Sequence, residues 1–309
     1  MLAVLSPGQG SQKPGFLTPW LELPGAQARL TAWSALAGVD LVHLGTVAGA
    51  EEIKDTARTQ PLLVAAALLA AEQLPLDAAG VIAGHSVGEL GAAAAAGVLT
   101  AEDAITLAGV RGREMAAACA LEPTGMSAVL GGDPDEVVAV IEKHGLYAAN
   151  RNGAGQIVAA GALGALAEFA AAPPAKARVI ALAVAGAFHT PFMAPAETAL
   201  ASVAERVAVT DPARILLSNL DGTAVTDGRA MVGRLVRQVT APVRWDLCMR
   251  TLKDLGVTGV VELPPAGTLA GLLKRELKGD GAPEIVTLNT PDDLPAARDL
   301  IARHSKTQL

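Results

Sequence analysis

The chain has 309 residues, enough for one large domain with an insertion or for two domains. It is 51% hydrophobic but only 3% aromatic, so its core must be built from Ala, Val and Leu in closely packed elements. A net charge of −7 and a pI near 5.3 argue against a nucleic-acid or membrane-surface protein.

The mean hydropathy is positive, yet the apolar stretches do not suit a bilayer: Leu62 to Ala71 is too short and is closed by Glu72. Met1 to Leu5 lacks a basic region and meets Pro7-Gly8 at once, unlike a signal peptide. Cys119 and Cys248 both sit in apolar, helix-like contexts and read as core thiols rather than a disulfide. No Cys/His cluster has metal-ligand spacing. A cytoplasmic location is expected.

Leu2 to Leu5 reads as a first buried strand, ending in the turn Ser6-Pro7-Gly8-Gln9-Gly10-Ser11-Gln12. The glycines beside Gln9 let backbone come close to another group, although a plain polar loop would look the same. Leu41 to Val47 is ambiguous. Thr56 to Gln60 leads into Pro61, which suits the first turn of a helix. That helix, Leu62 to Leu74, is apolar nearly all round and should be buried.

Val81 to Leu90 reads as a short strand, a sharp turn with Ser86 at its tip, and a helix. Gly84-x-Ser86-x-Gly88 is the nucleophile-elbow pattern. Small residues must flank so tight a turn, and the following helix points free N–H groups at any charge that forms there. One stretch can thus supply a nucleophile and part of an oxyanion hole. An ordinary tight βα loop is the bland alternative.

Thr100-Ala101-Glu102-Asp103 opens a helix that runs to about Ala120. One face carries Leu107, Arg111, Met115 and Ala118. Arg111 therefore sits in an apolar stripe, with Arg113 turned away from it. A buried guanidinium needs an anion, either an internal carboxylate or a ligand.

From about Gly125 the pattern changes. Strands at Met126–Leu130, Leu146–Asn150, Gln156–Ala160 and Arg178–Val184, with helices at Asp133–His144 and Leu163–Ala171, give β-α-β-β-α-β, the ferredoxin-like order. This reads as a small inserted domain. Ala185 to Pro191 then carries His189 in a small-residue turn back to the large domain. A loop histidine is commonly structural, but with a serine elbow upstream it is the candidate base. His85 should face away from the serine, and His43, His144 and His304 lie at element edges without evident partners.

Beyond it, helices at Pro195–Val207, Ala230–Val239, Leu247–Leu255, Thr268–Leu277 and Leu294–Arg303 alternate with strands at Ile215–Ser218, Gly259–Glu262 and Ile285–Leu288. Such alternation implies a parallel sheet with helices on both faces. The tail Ser305 to Leu309 is expected to be disordered.

Taken together, the motifs resemble the malonyl-CoA:acyl carrier protein transacylases of fatty acid and polyketide synthesis, in order and over nearly the whole chain. They are Pro7–Gln12, Thr59-Gln60-Pro61, Gly84–Glu89, Val110-Arg111-Gly112, Ala149–Val158, Gly186–His189 and Pro242–Trp245. The resemblance implies an α/β-hydrolase-like catalytic domain with a parallel sheet (1–124 and 189–309) and a ferredoxin-like insert (125–188), with the site between them. It implies Ser86 as nucleophile and His189 as base, the N–H groups of Gln9 and Val87 as oxyanion hole, and Arg111 as holder of the malonyl carboxylate. Gln60, Phe188 and Asn152 follow as further substrate contacts. No metal and no cofactor of its own is implied: CoA arrives with the substrate and phosphopantetheine with the carrier protein. The implied partners are malonyl-CoA and acyl carrier protein, with no nucleic acid and no membrane, and the protein is expected to be a monomer.

The resemblance also implies a dyad without an acidic third member, with a backbone carbonyl from the loop at Pro264 to Thr268 orienting His189. There the chain departs from the family pattern, because Ala266 stands where glycine is usual. Lys274, Arg275 and Lys278 form a candidate basic patch for an acidic carrier, or merely a solvated helix face. The competing readings are an acyltransferase for another extender unit, the transacylase subunit of a malonate decarboxylase, a serine esterase or thioesterase, and a non-catalytic carrier-binding scaffold.

Overall fold

The structure is a computed structural model and describes residues 1–279 and 281–305. Residues 306–309 of the tail expected to be disordered lie outside the described residues. The chain opens with β1 (Leu2–Ser6), α1 (Ala26–Ala37), α2 (Leu41–Thr46) and α3 (Thr56–Ala71). The elbow follows as β2 (Val81–Gly84) and α4 (Gly88–Ala95), and then α5 (Ala101–Cys119). A compact middle section holds β3 (Thr124–Gly131), α6 (Pro134–Lys143), β4 (Tyr147–Gly153), β5 (Gln156–Ala162), α7 (Leu163–Ala171) and β6 (Ala177–Ala181). The chain continues through α8 (Ala194–Ala204), β7 (Ile215–Leu217), β8 (Ala224–Val225), α9 (Gly228–Arg237), β9 (Val243–Arg244) and α10 (Trp245–Asp254). It ends with β10 (Gly259–Glu262), α11 (Thr268–Glu276), β11 (Glu284–Thr287) and α12 (Leu294–His304). The described residues thus form a mixed α/β protein with two sheets.

The larger sheet has the order β11-β10-β1-β2-β7-β8 and is parallel except for β8. Helices cover both of its faces, which is why β1 is an unbroken apolar run, Leu-Ala-Val-Leu, buried at every residue. Ser6 pairs with Gly84 at the carboxyl ends of β1 and β2. The Gln9 loop and the Ser86 elbow therefore leave the sheet side by side, where ligands bind in open parallel sheets.

The smaller sheet has the order β6-β3-β5-β4-β9. Its first four strands are antiparallel and packed on α6 and α7 through Val129, Val137, Ile141 and Phe169. The fifth strand, β9, comes from more than 80 positions downstream of β4 and runs parallel to it, with Asn150 opposite Val243 and Arg151 opposite Arg244. The sequence pattern did not foreshadow it, because a two-residue strand has no periodicity to read.

Other elements differ from expectation for identifiable reasons. The buried helix begins at Thr56 rather than Leu62, because Asp55 caps it by accepting from Ala57 N at 2.9 Å. Pro61 consequently sits inside the helix, where burial on all sides outweighs one lost hydrogen bond. Leu41–Thr46 is a helix, capped by Asp40. Helix α1 gave no clear signal: alanines soften the contrast between its buried face (Leu30, Trp33, Ala37) and the rest. His43 pairs with Glu52, His144 with the Val140 carbonyl and His304 with Thr258, so each of the three does have a partner. Cys119 and Cys248 are free thiols, the second buried and the first partly exposed. Among the described residues no helix is long and apolar enough to cross a membrane.

Candidate active site

Ser86 stands at the end of β2 with φ 53°, a left-handed conformation rare for a residue with a side chain. The turn closes through Gly88 N to His85 O at 2.9 Å and Glu89 N to Ser86 O at 3.0 Å. Both flanking glycines are required by contact. A Cβ on Gly84 would strike the Gly88 carbonyl, and one on Gly88 would strike the Ser6 carbonyl. Asn219, just beyond β7, clamps the turn: its Oδ1 accepts from Ser86 N at 2.8 Å and its Nδ2 donates to Gly84 O at 2.7 Å.

His189 also has positive φ, 60°, and its Nε2 lies 2.8 Å from Ser86 Oγ. Its Nδ1 lies 2.8 Å from the backbone carbonyl of Gln238. A carbonyl only accepts, so this network assigns the proton to Nδ1 and leaves Nε2 to take the serine proton. Among the described residues no carboxylate bonds to His189. Burial lowers its pKa to about 3; the positive charge of Arg111 and His85 act the same way, and the Gln238 carbonyl opposes them. The imidazole is thus a neutral base.

The carbonyl that holds the ring therefore comes from Gln238, not from the loop at Pro264 to Thr268. That loop is organised around the buried Glu262 carboxyl, which accepts from the N–H groups of Gly267, Leu269 and Ala270 at the start of α11. Gly267 takes the positive φ there, so Ala266 needs none. Thr268 bonds to Ser11, which ties α11 to the Gln9 loop.

Among the described residues neither Val87 N nor Gln9 N makes a hydrogen bond, and Ser86 N is already taken by Asn219. Val87 N heads α4, and Gln9 lines the cavity with Ser86 and His189. A free N–H thus stands next to the serine at Val87, and Gln9, its N–H also free, lines the same cavity.

Arg111 is 2% exposed, on α5. Its Nη1 donates to Gln60 Oε1 at 2.6 Å, its Nη2 to Gln238 Oε1 at 3.0 Å and, more weakly, to Ser86 Oγ at 3.5 Å. Gln60 therefore holds the arginine, with its Nε2 on Met115 Sδ. This contact depends on α3 and α5 lying close, where a Cβ on Gly112 would come within 2.8 Å of Thr56 O. Arg113 is exposed and pairs with Glu114. Burial lowers the Arg111 pKa to about 10 against the opposing pull of Glu89.

The cavity above Ser86, about 240 Å³, lies between the two sheets; Asn150, Asn152, Phe188 and Leu272 are among its walls. A larger groove of about 610 Å³ reaches His189 from another side, past Tyr147 and Arg151, but Ser86 does not line it. Asn152 lines the cavity, yet its amide is engaged by His85 Nε2 at 2.9 Å and Gln156 Oε1 at 2.9 Å. His85, expected to face away from the serine, lines the same cavity and meets Trp245 edge-on.

Three residues of the site escaped sequence reasoning: Asn219, Gln238 and Glu89. Asn219 follows a parallel strand next to β2, a position that could have flagged it. Gln238 sits at the end of α9 with nothing local to mark it. Glu89 lay in view within the elbow, but its buried contacts are made with residues far away in sequence.

A serine on a strand–turn–helix elbow, a neutral histidine within bonding reach and two free N–H groups are the parts that acyl transfer calls for. The chain belongs to the acyl transferase domain family, which it matches over residues 5–299. It is 56% identical over 305 residues to the malonyl CoA-acyl carrier protein transacylase of Mycobacterium tuberculosis, covering 97% of this chain and 100% of that one. The crystal structure of MCAT from the same organism superposes with a TM-score of 0.93 at 56% identity, over 96% of this chain and 99% of that chain. A malonyl-transacylase solved in complex with its type II PKS acyl-carrier protein superposes with a TM-score of 0.88 at 29% identity, over 96% and 99%.

Proposed function

We propose that this protein moves a malonyl group from malonyl-CoA to the phosphopantetheine thiol of an acyl carrier protein, through a malonyl ester on Ser86. The observation that carries this reading is Arg111: a buried cation 3.5 Å from Ser86 Oγ, held by two neutral amide oxygens, with no salt-bridging carboxylate among the described residues. Nη1 spends one hydrogen on Gln60 and keeps the other; Nη2 spends one on Gln238 and has only the long 3.5 Å contact to Ser86 Oγ besides, so both can turn to a planar, two-pronged anion. A malonyl group on Ser86 carries such an anion one methylene beyond its carbonyl, and an acetyl group does not.

The chemistry runs in two halves. Ser86 Oγ attacks the thioester carbonyl while His189 Nε2 takes its proton. The oxyanion is met by the N–H groups of Val87 and Gln9, a donor of this kind contributing about 2.7–4 kcal/mol in the transition state. The C–S bond breaks and His189 returns the proton to the CoA thiolate. The pantetheine thiol then gives its proton to His189 and attacks the malonyl ester, the C–Oγ bond breaks, and Ser86 is restored. No cofactor beyond the thioesters takes part.

In fold terms, residues 1–124 and 189–309 are read as an α/β-hydrolase-like catalytic domain and 125–188 as a ferredoxin-like insert. The β-α-β-β-α-β order of the middle section supports this. Phe188 and Gln60 are assigned to substrate recognition, Phe188 as cavity wall and Gln60 through Arg111. Asn152 is assigned to the cavity wall beside them. A single chain is taken as the active unit, because one chain supplies Ser86, His189, Gln9 and Arg111. Exposed Lys274, Arg275 and Lys278 at the end of α11, a helix that lines the cavity, are a fitting contact for an acidic carrier. An esterase or thioesterase would have no use for the buried cation.

The test is intact-protein mass spectrometry after mixing with malonyl-CoA and, separately, acetyl-CoA. One malonyl adduct, absent in Ser86→Ala and formed much more slowly in Arg111→Ala, supports the reading. Equal labelling by acetyl-CoA overturns the role of Arg111.

A further inference from the structure

Among the described residues Glu89 is the one carboxyl buried beside Arg111 and Gln238, 1% exposed in the first turn of α4, and the chemistry above does not use it. It makes no salt bridge among the described residues. One oxygen accepts from Asn219 N at 2.5 Å and the other from Gln238 Nε2. The same Gln238 amide presents Oε1 to Arg111 Nη2 at 3.0 Å. A guanidinium only donates, and Glu89 offers an oxygen to each N–H that faces it. The Gln238 amide can satisfy both neighbours in one orientation only.

We propose that Glu89 is a positioning residue for acyl-group selection: through the Gln238 amide it aims the Arg111 guanidinium at the substrate carboxylate. The proposal rests on the reading of Arg111 given above. The amide spacer explains the arrangement. A carboxylate bonded directly to Arg111 would take the N–H groups the substrate needs and cancel their charge. With an amide between them the guanidinium is oriented but not consumed. Burial, opposed by its hydrogen bonds and by Arg111 and Arg234, raises the Glu89 pKa to about 8; in the protonated form the hydroxyl oxygen still has lone pairs to accept an N–H, so both contacts persist while the cation is left largely uncompensated at neutral pH. A glutamine at position 89 would offer an NH2 to one of the two N–H groups. The Gln238 amide is then free to turn, and a turned amide sets NH2 against the guanidinium.

The measurement is the rate of Ser86 acylation by malonyl-CoA and by acetyl-CoA, taken by rapid quench and intact mass, in wild type, Glu89→Gln, Gln238→Met and the double variant. The Gln238→Met change keeps the backbone carbonyl that holds His189. Each single variant is expected to lower the malonyl-to-acetyl ratio about tenfold, and the double variant no further, because groups acting as one unit are not additive. A ratio that stays at the wild-type value overturns the proposal, whether both rates fall together or neither moves; so does a double variant whose losses multiply. If Glu89→Gln does not fold, Gln238→Met alone decides by the same ratio. Loss of selectivity in Arg111→Ala with none in these variants removes the relay and leaves the function standing.

Discussion

Ser86 and His189 meet with Oγ 2.8 Å from Nε2, and each is held at positive φ, 53° and 60°. Two side-chain-bearing residues in a sparsely populated conformation, facing each other, must be restrained from outside. The restraints are Asn219 on the serine side and the Gln238 carbonyl on the histidine side.

Asn219 should therefore matter although it touches no substrate. In Asn219→Ala the partly buried Ser86 N–H and the buried Gly84 carbonyl both lose a partner. Leaving such groups unsatisfied costs about 1–3 kcal/mol each. A fall in Tm of several degrees is expected, with Ser86 acylation at least about tenfold slower. Wild-type values of both would show that the elbow holds its shape unaided.

Gly88→Ala should be among the most damaging single methyls at the described glycines. Its Cβ would collide with the backbone carbonyl of Ser6, which belongs to the central strand and has little room to move. Overpacking of this kind commonly costs about 1–3 kcal/mol and more against rigid backbone. Chemical denaturation should give a midpoint well below wild type; Gly164→Ala, where a Cβ meets nothing, is the matched control.

Two of the buried ionisable groups of the site, His189 and Glu89, pull stability in opposite directions with pH. His189 titrates at 6.5 when unperturbed and at about 3 here, so between these values the unfolded chain binds a proton that the folded one lacks. Stability falls as pH drops through that window. Glu89 moves from 4.5 to about 8, so across that interval the folded state holds the extra proton and stability falls as pH rises. Replacing Glu89 with Gln should flatten the alkaline limb of a Tm profile taken from pH 5 to 9. An alkaline limb as steep as wild type would falsify the assignment.

Arg111 should also protect the acyl-enzyme. With its carboxylate held, the malonyl ester is fixed away from the approach of water. The malonyl-enzyme of Arg111→Ala, loaded slowly at high malonyl-CoA, is expected to hydrolyse faster than wild type. Equal lifetimes, read as decay of the adduct mass, would remove this role.

Much of this was legible in the chain itself. The elbow, the histidine turn and the arginine stripe each announced themselves by local spacing, and the middle section by its element order. What stayed hidden is long-range. The Gln238 carbonyl reaches His189 across 49 positions, and Asn219 N reaches the Glu89 carboxyl across 130. No local pattern records such contacts, because a backbone carbonyl has no residue type. The loop at Pro264 to Thr268 was assigned to His189 by resemblance, whereas its own buried carboxyl, Glu262, shows that it serves α11 and the Gln9 loop.

Strand β9 has a consequence for the modularity of the molecule. The middle section enters after α5 and leaves before α8, so on paper it could be cut out and replaced as a cassette. It cannot be removed cleanly, because its sheet ends on two residues, Val243 and Arg244, that belong to the rest of the chain. A transplanted cassette would arrive with β4 as an open edge and leave Val243 without its ladder partner. Graft boundaries between relatives would therefore have to carry the 242–245 segment along, although it lies far outside the middle section in sequence.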